Sequence, residues 1–310
     1  MNHRVFIIIP LYNAQNTIQF AVESVLHQLY IQCSIIIVDH GSTDQSLELV
    51  TNLYGDYKNV HILQINRKID ERKSASRPLN VGFIYALELS KKVHDTCWMM
   101  RLDADDVLFS DSTLFEALNH YTYGVKLING NIIMTDMIKQ EAYLYSPKKD
   151  LTSIETLLHK SIYSFAHHAT LISSELIENI LSNDSICYPE NISYGEDMDF
   201  SIRLIKQCND ENLCIINQSF LVKKTDGPSI SNTIGVKTII RDHITIFKNN
   251  KQLSRVLLFK IILWFSLDSF GRIGKKVNAM IKPPAFQYAD IIPFPYYNAI
   301  EVYNKLKNFR

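Results

Sequence analysis

The sequence predicts an α/β fold, in which a doubly wound and mostly parallel central sheet is flanked by helices. Strand and helix signals alternate through the first third of the chain in units of about 30 residues, which is typical of strand–helix–strand crossovers. The strand candidates are continuous apolar, β-branched runs, as expected for strands buried on both faces. With 46% apolar residues in 310, the chain can build a substantial core.

The predicted elements follow one another in a regular order. The strands are residues 4–10, 33–44, 60–66 and 96–103. The helices between them are residues 17–29, 45–54 and 78–93. Ser42, Thr43 and Asp44 are good residues for beginning a helix, and Pro78 suits a first helical turn. Ligands of such sheets bind beyond the carboxyl ends of the strands, so polar residues at those ends form the candidate site.

The second part of the chain is less regular. The patterns predict a strand at 129–136, a strand and helix at 169–181, and a helix with an acidic N-terminus at 194–208. Residues 233–310 hold 13 Lys/Arg against 4 Asp/Glu, whereas residues 1–232 hold 19 against 28. We therefore predict a main domain over 1–232 and a basic, aromatic-rich helical appendage over 233–310.

Composition narrows the functional class. The formal net charge is zero, which argues against a nucleic-acid partner. Five scattered cysteines without a CxxC pair favour a reducing compartment. The longest apolar stretch, 256–267, contains Lys260 and is too short to span a bilayer, and Pro10 ends the first apolar run too early for a signal peptide. These features predict a cytoplasmic protein that can lie on the inner face of the cytoplasmic membrane.

Three aspartates, Asp103, Asp105 and Asp106, follow the fourth predicted strand. Carboxylates two positions apart can converge on a hard divalent ion such as Mg²⁺ or Mn²⁺. An acidic turn that starts the next helix explains the same residues equally well. If a metal compensates these carboxylates, we expect no buried protein cation beside them, and carboxylates that face solvent in the metal-free protein.

Other polar positions are open to two interpretations. Asp39 can accept hydrogen bonds from a nucleobase or ribose, or it can simply close a turn. Glu196 and Asp197 can take a proton from a hydroxyl nucleophile, or they can be ordinary charge at a helix N-terminus. His167 and His168 are expected to be a strand-edge feature, because neighbouring strand residues point to opposite faces. The sequence has no Walker loop and no GxGxxG.

Taken together and in this order, five segments resemble the family 2 glycosyltransferases, which bind nucleotide sugars with the GT-A fold. The segments are VFIIIPLYNAQNTIQFAVESVLHQLY, IIIVDHGSTDQSLELV, SRPLNVGFIYAL, RLDADD and YGEDMDFSIRL. The resemblance covers about residues 4–232. It implies inverting transfer of a hexose or N-acetylhexosamine, with UDP as the expected nucleotide, to a glycan or lipid-linked hydroxyl. Such products belong to capsule, O-antigen or lipopolysaccharide synthesis.

The resemblance also implies a donor pocket. Pro10, Tyr12 and Asp39 would line the base and ribose pocket. Arg77 and Asn80 would steady the nucleotide or its diphosphate.

The resemblance further implies a metal site and a base. Asp105 would be the principal ligand of Mn²⁺ or Mg²⁺, with Asp103 beside the ribose or the metal. For Asp106 we expect a role in supporting the loop or capping the helix that follows. Asp197, helped by Glu196, would deprotonate the acceptor hydroxyl.

Two positions depart from the family pattern. His40 stands where relatives have a second aspartate. Asp226 stands where many relatives have a histidine that approaches the metal or diphosphate, and is predicted as a further metal ligand. Lys223 and Lys224 can offset its charge.

Two other functions fit parts of the sequence. One is a non-catalytic sugar-nucleotide-binding protein. The other is a sugar nucleotidyltransferase, which needs a basic glycine-rich loop after the first strand, and PLYNAQNT has neither. The basic, aromatic tail over 241–310 fits an anionic membrane surface, packing on the core, or a homodimer contact.

Overall fold

The protein is described from a computed structural model. The structure describes residues 2–67, 74–147, 154, 165–226, 234–251, 253, 258–259, 262 and 289–307. In these ranges the strands are β1 His3–Leu11, β2 Gln32–Asp39, β3 Val60–Gln64, β4 Thr96–Arg101, β5 Val107–Leu108, β6 Leu127–Asp136, β7 Glu141–Pro147, β8 Thr170–Ser173, β9 Leu213–Lys224 and β10 Ala289–Pro293. The α-helices there are α1 Ile18–Leu26, α2 Ser46–Tyr54, α3 Ser76–Ser90, α4 Thr113–Leu118, α5 Ser174–Asp184, α6 Glu196–Lys206, α7 Val236–Asn249 and α8 Tyr296–Lys307.

The first half of the sheet is parallel, in the order β3-β2-β1-β4. Alternate residues of β1 point to opposite faces of the sheet. Ile8 packs with residues of α3 and α6 on one face, and Ile7 packs with residues of α1 and α2 on the other. Two apolar layers therefore enclose the sheet. This arrangement confirms the predicted α/β class and the predicted order of the first elements.

The second half of the sheet is mostly antiparallel, which makes the whole sheet mixed. Three neighbouring pairs are antiparallel, namely β4 with β8, β8 with β6, and β6 with β7. β9 lies parallel to β6. The short strand β5 pairs with β9. After β4 the chain no longer inserts a long helical crossover before each strand, and β6 and β7 are joined by a tight turn that only antiparallel strands allow.

The C-terminal segment returns to the same sheet. β10 pairs with β7 as an edge strand, and α8 packs against α1, β6 and β7. These elements share a third apolar cluster, whose buried members are Val107, Ile133, Ala142, Val222, Ala299, Tyr303 and Leu306. The sequence predicted a helical appendage over 233–310, and the strand β10 in that region was not expected. The domain boundary at 232/233 stays a prediction.

Among the residues that the structure describes, no helix has both the length and the apolarity needed to cross a bilayer. Most of the basic, apolar stretch between 252 and 288 lies outside the described residues.

Candidate active site

The candidate site lies beyond the carboxyl ends of the parallel strands. Leu11 at the end of β1 is in register with Asp39 at the end of β2, and Ile8 is in register with Arg101 at the end of β4. The polar residues that follow these three strands therefore meet at one edge of the sheet. Asp39 and Asp103, which are 64 positions apart in the sequence, belong to that edge for this reason.

Pro10, Tyr12 and Asp39 are brought together on one side of this edge. Tyr12 is 43% exposed, and the Arg67 guanidinium carbon lies 4.7 Å from the centre of its ring. Asp39 is buried, and its carboxylate accepts hydrogen bonds from the backbone N–H of Gly41 at 3.1 Å and Ser42 at 3.3 Å. Asp39 thus shapes the turn after β2, and Tyr12 presents a partly exposed ring beside the Arg67 guanidinium.

Arg77 and Asn80 lie on α3 and have structural contacts. The Arg77 Nη1 donates to the Asn66 carbonyl at 2.7 Å. The buried Asn80 accepts from the backbone N–H of Tyr188 at 2.7 Å and of Cys187 at 3.1 Å, and donates to the Tyr188 carbonyl at 2.9 Å. Asn80 therefore ties α3 to residues 187–188, and its amide is already occupied by these bonds.

The three aspartates form a compact oxygen cluster. One carboxylate oxygen of each of Asp103, Asp105 and Asp106 lies within 4.8 Å of the others. Asp106 is fully buried, whereas Asp103 and Asp105 are partly exposed. Three carboxylates at this separation are the donor set that Mg²⁺ or Mn²⁺ prefers. The residues therefore fit a hard divalent ion in donor type and spacing.

Basic side chains lie around this cluster: Arg101 and Lys223 are charged, whereas burial lowers the pKa of His168. Asp103 pairs with Arg101 Nε at 2.7 Å, with His168 Nε2 at 3.2 Å and with Lys223 Nζ at 3.2 Å. Lys223 also pairs with Asp106 at 3.1 Å. The expectation that no buried cation accompanies the aspartates is therefore wrong. Its physical reason was sound, since carboxylates at a buried strand end require compensation, but the chain supplies the charge itself.

These cations separate the pKa values of the aspartates. Burial opposes ionisation of Asp103, but Arg101, Lys223 and His168 outweigh it and hold the pKa of Asp103 well below its usual range. Burial, and then the Asp103 charge, raise the pKa of Asp105. Burial raises the pKa of Asp106 to about 7, although Lys223 opposes this.

Asp226 lies outside the cluster formed by the three aspartates. Its Oδ1 is buried and has no hydrogen-bond partner among the described residues. Residues 227–233 lie outside the described residues. Its role as a metal ligand stays a prediction.

Glu196 and Asp197 begin α6, directly after Gly195, whose φ of 83° is in the left-handed region. The Asp197 Oδ1 accepts a hydrogen bond from the Met198 N–H at 2.8 Å. On α7, Asp242 accepts from the Ser193 N–H at 2.9 Å. Residues of the C-terminal region thus hold the loop that presents the two carboxylates.

The environments of the two carboxylates differ. Burial, and then the Asp197 charge, raise the pKa of Glu196 to about 7. Burial also opposes ionisation of Asp197, but His167, His168 and Arg101 outweigh it and lower the pKa of Asp197. Divergent pKa values in adjacent carboxyls are typical of acid–base sites.

The expectation for His167 and His168 was wrong. They lie in a short 3₁₀ helix, His167–Ala169, before β8 rather than in a strand. His168 contacts Asp103, and the His167 Nδ1 hydrogen-bonds the Ser201 Oγ of α6 at 3.1 Å. The tight turn therefore directs His168 to the Asp103 carboxylate, whereas the buried His167 ring bonds Ser201 of α6 and the Tyr188 hydroxyl.

Among the described residues, several at the site were not predicted as site residues. They include Arg67, Arg101, His168, Lys223 and Tyr303. Arg101 had a visible signal, a lone arginine at the end of an otherwise apolar strand, where burial demands a partner. Tyr303 had none, because its hydroxyl reaches the Asp105 carbonyl at 3.3 Å across 198 positions of sequence.

The comparison with protein families is decisive. The sequence model described as glycosyl transferase family 2 matches residues 6–181, which is more than half of the chain. The chain belongs to glycosyltransferase family 2. The family resemblance is thereby confirmed, and the match takes in the first four of the five segments. The match ends before Glu196.

Curated relatives of this glycosyltransferase include polysaccharide synthases. Chondroitin synthase and hyaluronan synthase of Pasteurella multocida are each 27% identical over 237 residues, covering 69% of this chain and 23% of theirs. An uncharacterised glycosyltransferase of Haemophilus influenzae is 24% identical over 205 residues, covering 63% of this chain and 58% of that one. The glycosyltransferase thus spans under a quarter of the length of the two synthases.

Solved structures share the fold of this glycosyltransferase. TarS 1–349 of S. aureus in complex with UDP-GlcNAc aligns with a TM-score of 0.56 at 16% identity, covering 99% of this chain and 80% of that one. The mannosyltransferase PcManGT of Pyrobaculum calidifontis in complex with GDP-Man and Mn²⁺ aligns with a TM-score of 0.56 at 13% identity, covering 97% and 86%. These similarities confirm the GT-A prediction.

Proposed function

We propose that this family 2 glycosyltransferase moves a hexose or N-acetylhexosamine from a UDP sugar to a hydroxyl of a glycan or lipid-linked saccharide. The acceptor would be a growing surface polysaccharide, and the reaction would depend on Mn²⁺ or Mg²⁺. The names of the two Pasteurella synthases support a polysaccharide product, and the UDP-GlcNAc bound by TarS supports the donor class.

One observation carries the proposal. The same basic side chains act on the cluster of three aspartates and on the pair formed by Glu196 and Asp197. Asp103 contacts Arg101 and His168, and Arg101 lowers the pKa values of both Asp103 and Asp197. A glycosyl transfer needs one acidic group to hold the metal ion of the donor and a second to accept the proton of the acceptor, both within one site.

The proposed roles divide between the two sides of the site. Tyr12 would receive the base on its exposed ring, with Pro10 and Asp39 behind it. Asp105, with Asp103, would hold the divalent ion, which supplies Lewis-acid stabilisation of the departing diphosphate when bound. Arg77 stays in this proposal as a contact to the nucleotide.

On the acceptor side, Asp197 and Glu196 would take the proton of the attacking hydroxyl. A single displacement from the face opposite the diphosphate inverts the anomeric centre. We propose no covalent glycosyl-enzyme, because the carboxylates act on the acceptor rather than on the sugar.

The test is turnover of UDP and GDP sugars with Mn²⁺ or with EDTA. We expect activity with a UDP sugar that EDTA abolishes, and a loss of about 100-fold or more in Asp105→Ala, since a bound ion contributes several kcal/mol to the transition state. The matched control is Asp111→Ala, which removes an exposed aspartate from the following loop.

Three outcomes of these measurements bear on metal dependence, catalysis and stereochemistry. Activity that survives both EDTA and Asp105→Ala would refute metal dependence. Calorimetric UDP binding without any hydrolysis or transfer would favour the non-catalytic sugar-nucleotide-binding function instead. The anomeric configuration of the product, read by NMR, decides inversion.

The location of the enzyme and the role of its basic tail are part of the same proposal. A lipid-linked acceptor would place the enzyme at the inner face of the cytoplasmic membrane, where the basic tail over 241–310 could contact anionic lipid. The same tail could instead form a homodimer contact. Co-sedimentation with anionic and with neutral vesicles, alongside light scattering, separates these outcomes.

A further inference from the structure

Lys223 occupies the acidic cluster in a way that no other cation does among the described residues. Its Nζ lies 3.2 Å from Asp103 Oδ2 and 3.1 Å from Asp106 Oδ2, so it bridges two of the three carboxylates. The position is built into the sheet. Val222 pairs with Val107 of β5, and Lys223 is in register with Met134 of β6.

Lys223 is also the cation that can leave with least loss. Asp103 keeps Arg101 and His168 as partners without it, and Asp106 keeps the backbone N–H of Lys224 at 3.3 Å. The Lys223 side chain is 29% exposed, against 9% for Arg101 and 15% for His168. A lysine ammonium on a flexible four-carbon chain can swing toward solvent, unlike a buried guanidinium.

A divalent ion and this ammonium compete for the same oxygens. An ion held by carboxylates at about 2.0–2.2 Å would sit only a few ångströms from Nζ. Positive charges at such a separation repel each other strongly away from bulk water. The divalent ion can therefore bind only if the Lys223 ammonium moves away from these oxygens.

We propose that Lys223 is the resident counter-ion of the acidic cluster, and that it gives up Asp103 and Asp106 when a divalent ion binds and pairs with the donor diphosphate. This inference rests on the metal-dependent transfer proposed above. It predicts that the ion and the nucleoside diphosphate bind cooperatively, because the diphosphate receives the ammonium that the ion displaces.

The experiment is calorimetric titration of Mn²⁺ into the full chain, with and without UDP, for wild type, Lys223→Met and Lys224→Met. Lys224→Met is the matched control, since it removes the same charge one position along the strand without removing a carboxylate ion pair. Binding of Mn²⁺ to free UDP is corrected identically for each variant.

We expect Lys223→Met to bind Mn²⁺ about tenfold or more tightly than wild type in the absence of UDP. Lys224→Met should stay within about threefold of wild type. The ratio of Mn²⁺ dissociation constants without and with UDP should fall toward unity in Lys223→Met only. Equal Mn²⁺ affinity in wild type and Lys223→Met would overturn the proposal, and an unchanged ratio would overturn its diphosphate part.

Loss of folding is controlled separately. Lys223→Arg keeps the charge and should retain the Mn²⁺ affinity of wild type within about threefold. In Lys223→Met, Mn²⁺ should raise the melting temperature more than it does in wild type, because the ion replaces the missing charge.

Failure of this inference differs from failure of the proposed function. If wild type binds no Mn²⁺ but Lys223→Met does, Lys223 is the counter-ion of the cluster, but its displacement by the ion is overturned and metal-dependent transfer fails. If neither binds Mn²⁺, the inference is overturned. If wild type binds Mn²⁺ and Asp105→Asn abolishes binding, the metal site stands whatever Lys223 does.

Discussion

The Glu196 carboxyl ionises close to neutral pH, because burial and then the Asp197 charge raise its pKa to about 7. A carboxyl accepts a proton only when it is ionised. We therefore expect kcat/KM to rise as the pH increases through about 7 and to level off above it. Asp197, whose pKa is lowered, gives no such limb near neutral pH. The measurement is the pH profile of donor turnover.

Glu196→Gln should lose that limb and leave a slower rate that varies little with pH. Glu178→Gln, at an exposed position on α5, should keep the wild-type profile. Because Asp106 also has a pKa of about 7, a limb that persists in Glu196→Gln would belong to Asp106 and would contradict the assignment.

Replacing Arg101 tests how much a buried ion pair of the site contributes to stability. Arg101→Met should lower the free energy of unfolding by about 3–5 kcal/mol, because it removes one partner of a buried ion pair. The comparison variant is Arg4→Met, whose pair with Asp95 at 3.1 Å is more exposed and should cost about 0–1 kcal/mol. Urea unfolding measures both, and similar losses would show that Arg101 is not essential to compensation.

At the scale of elements, β9 depends on its close pairing with β6. The register between these strands shifts around Gly130, where an added Cβ would meet the Phe220 ring and would lie 2.7 Å from the Gln218 carbonyl oxygen. The glycine therefore lets β9 approach closely enough to carry Lys223 to the acidic cluster.

Gly130→Ala should lower the free energy of unfolding by about 1–3 kcal/mol, because the site is overpacked. Gly235→Ala is the matched control, since an added Cβ there meets nothing within 4 Å, and its effect should stay within about 0.5 kcal/mol. Thermal or urea unfolding of the two variants decides this. An unaffected Gly130→Ala would mean that β9 can shift without loss.

At the scale of the whole molecule, residues beyond 233 support both acidic groups. Asp242 on α7 holds the loop before Glu196. The single O–H of Tyr303 on α8 is shared between the Asp105 carbonyl at 3.3 Å and the Val222 carbonyl at 3.4 Å. The segment predicted as an appendage is thus part of the support of the site.

Tyr303→Phe should lower the free energy of unfolding by about 1 kcal/mol, because the hydrogen bond that the Asp105 and Val222 carbonyls share is lost. It should also weaken Mn²⁺ binding severalfold, because the Asp105 loop loses an anchor. Tyr297→Phe, at an exposed position on the same helix, should change neither quantity. Unchanged Mn²⁺ affinity in Tyr303→Phe would show that the loop is held without α8.

Much of the site followed from local sequence. Asp39, Asp103 and Asp105 were predicted because each follows an apolar strand, and parallel strands end at one edge of a sheet. Glu196 and Asp197 were predicted from charge at a helix start. The different pKa values of Glu196 and Asp197 could not be predicted from sequence, because burial and neighbouring charges decide them.

The sequence by itself determined the α/β class, the family and the positions of the acidic groups, because periodicity, strand ends and motif order are local properties. Only the tertiary structure decided which cations face those groups. Arg101, His168 and Lys223 come from three separate strands or turns, and Tyr303 comes from the far end of the chain. Charge compensation acts through space, so the partner of a buried carboxylate is chosen by the fold.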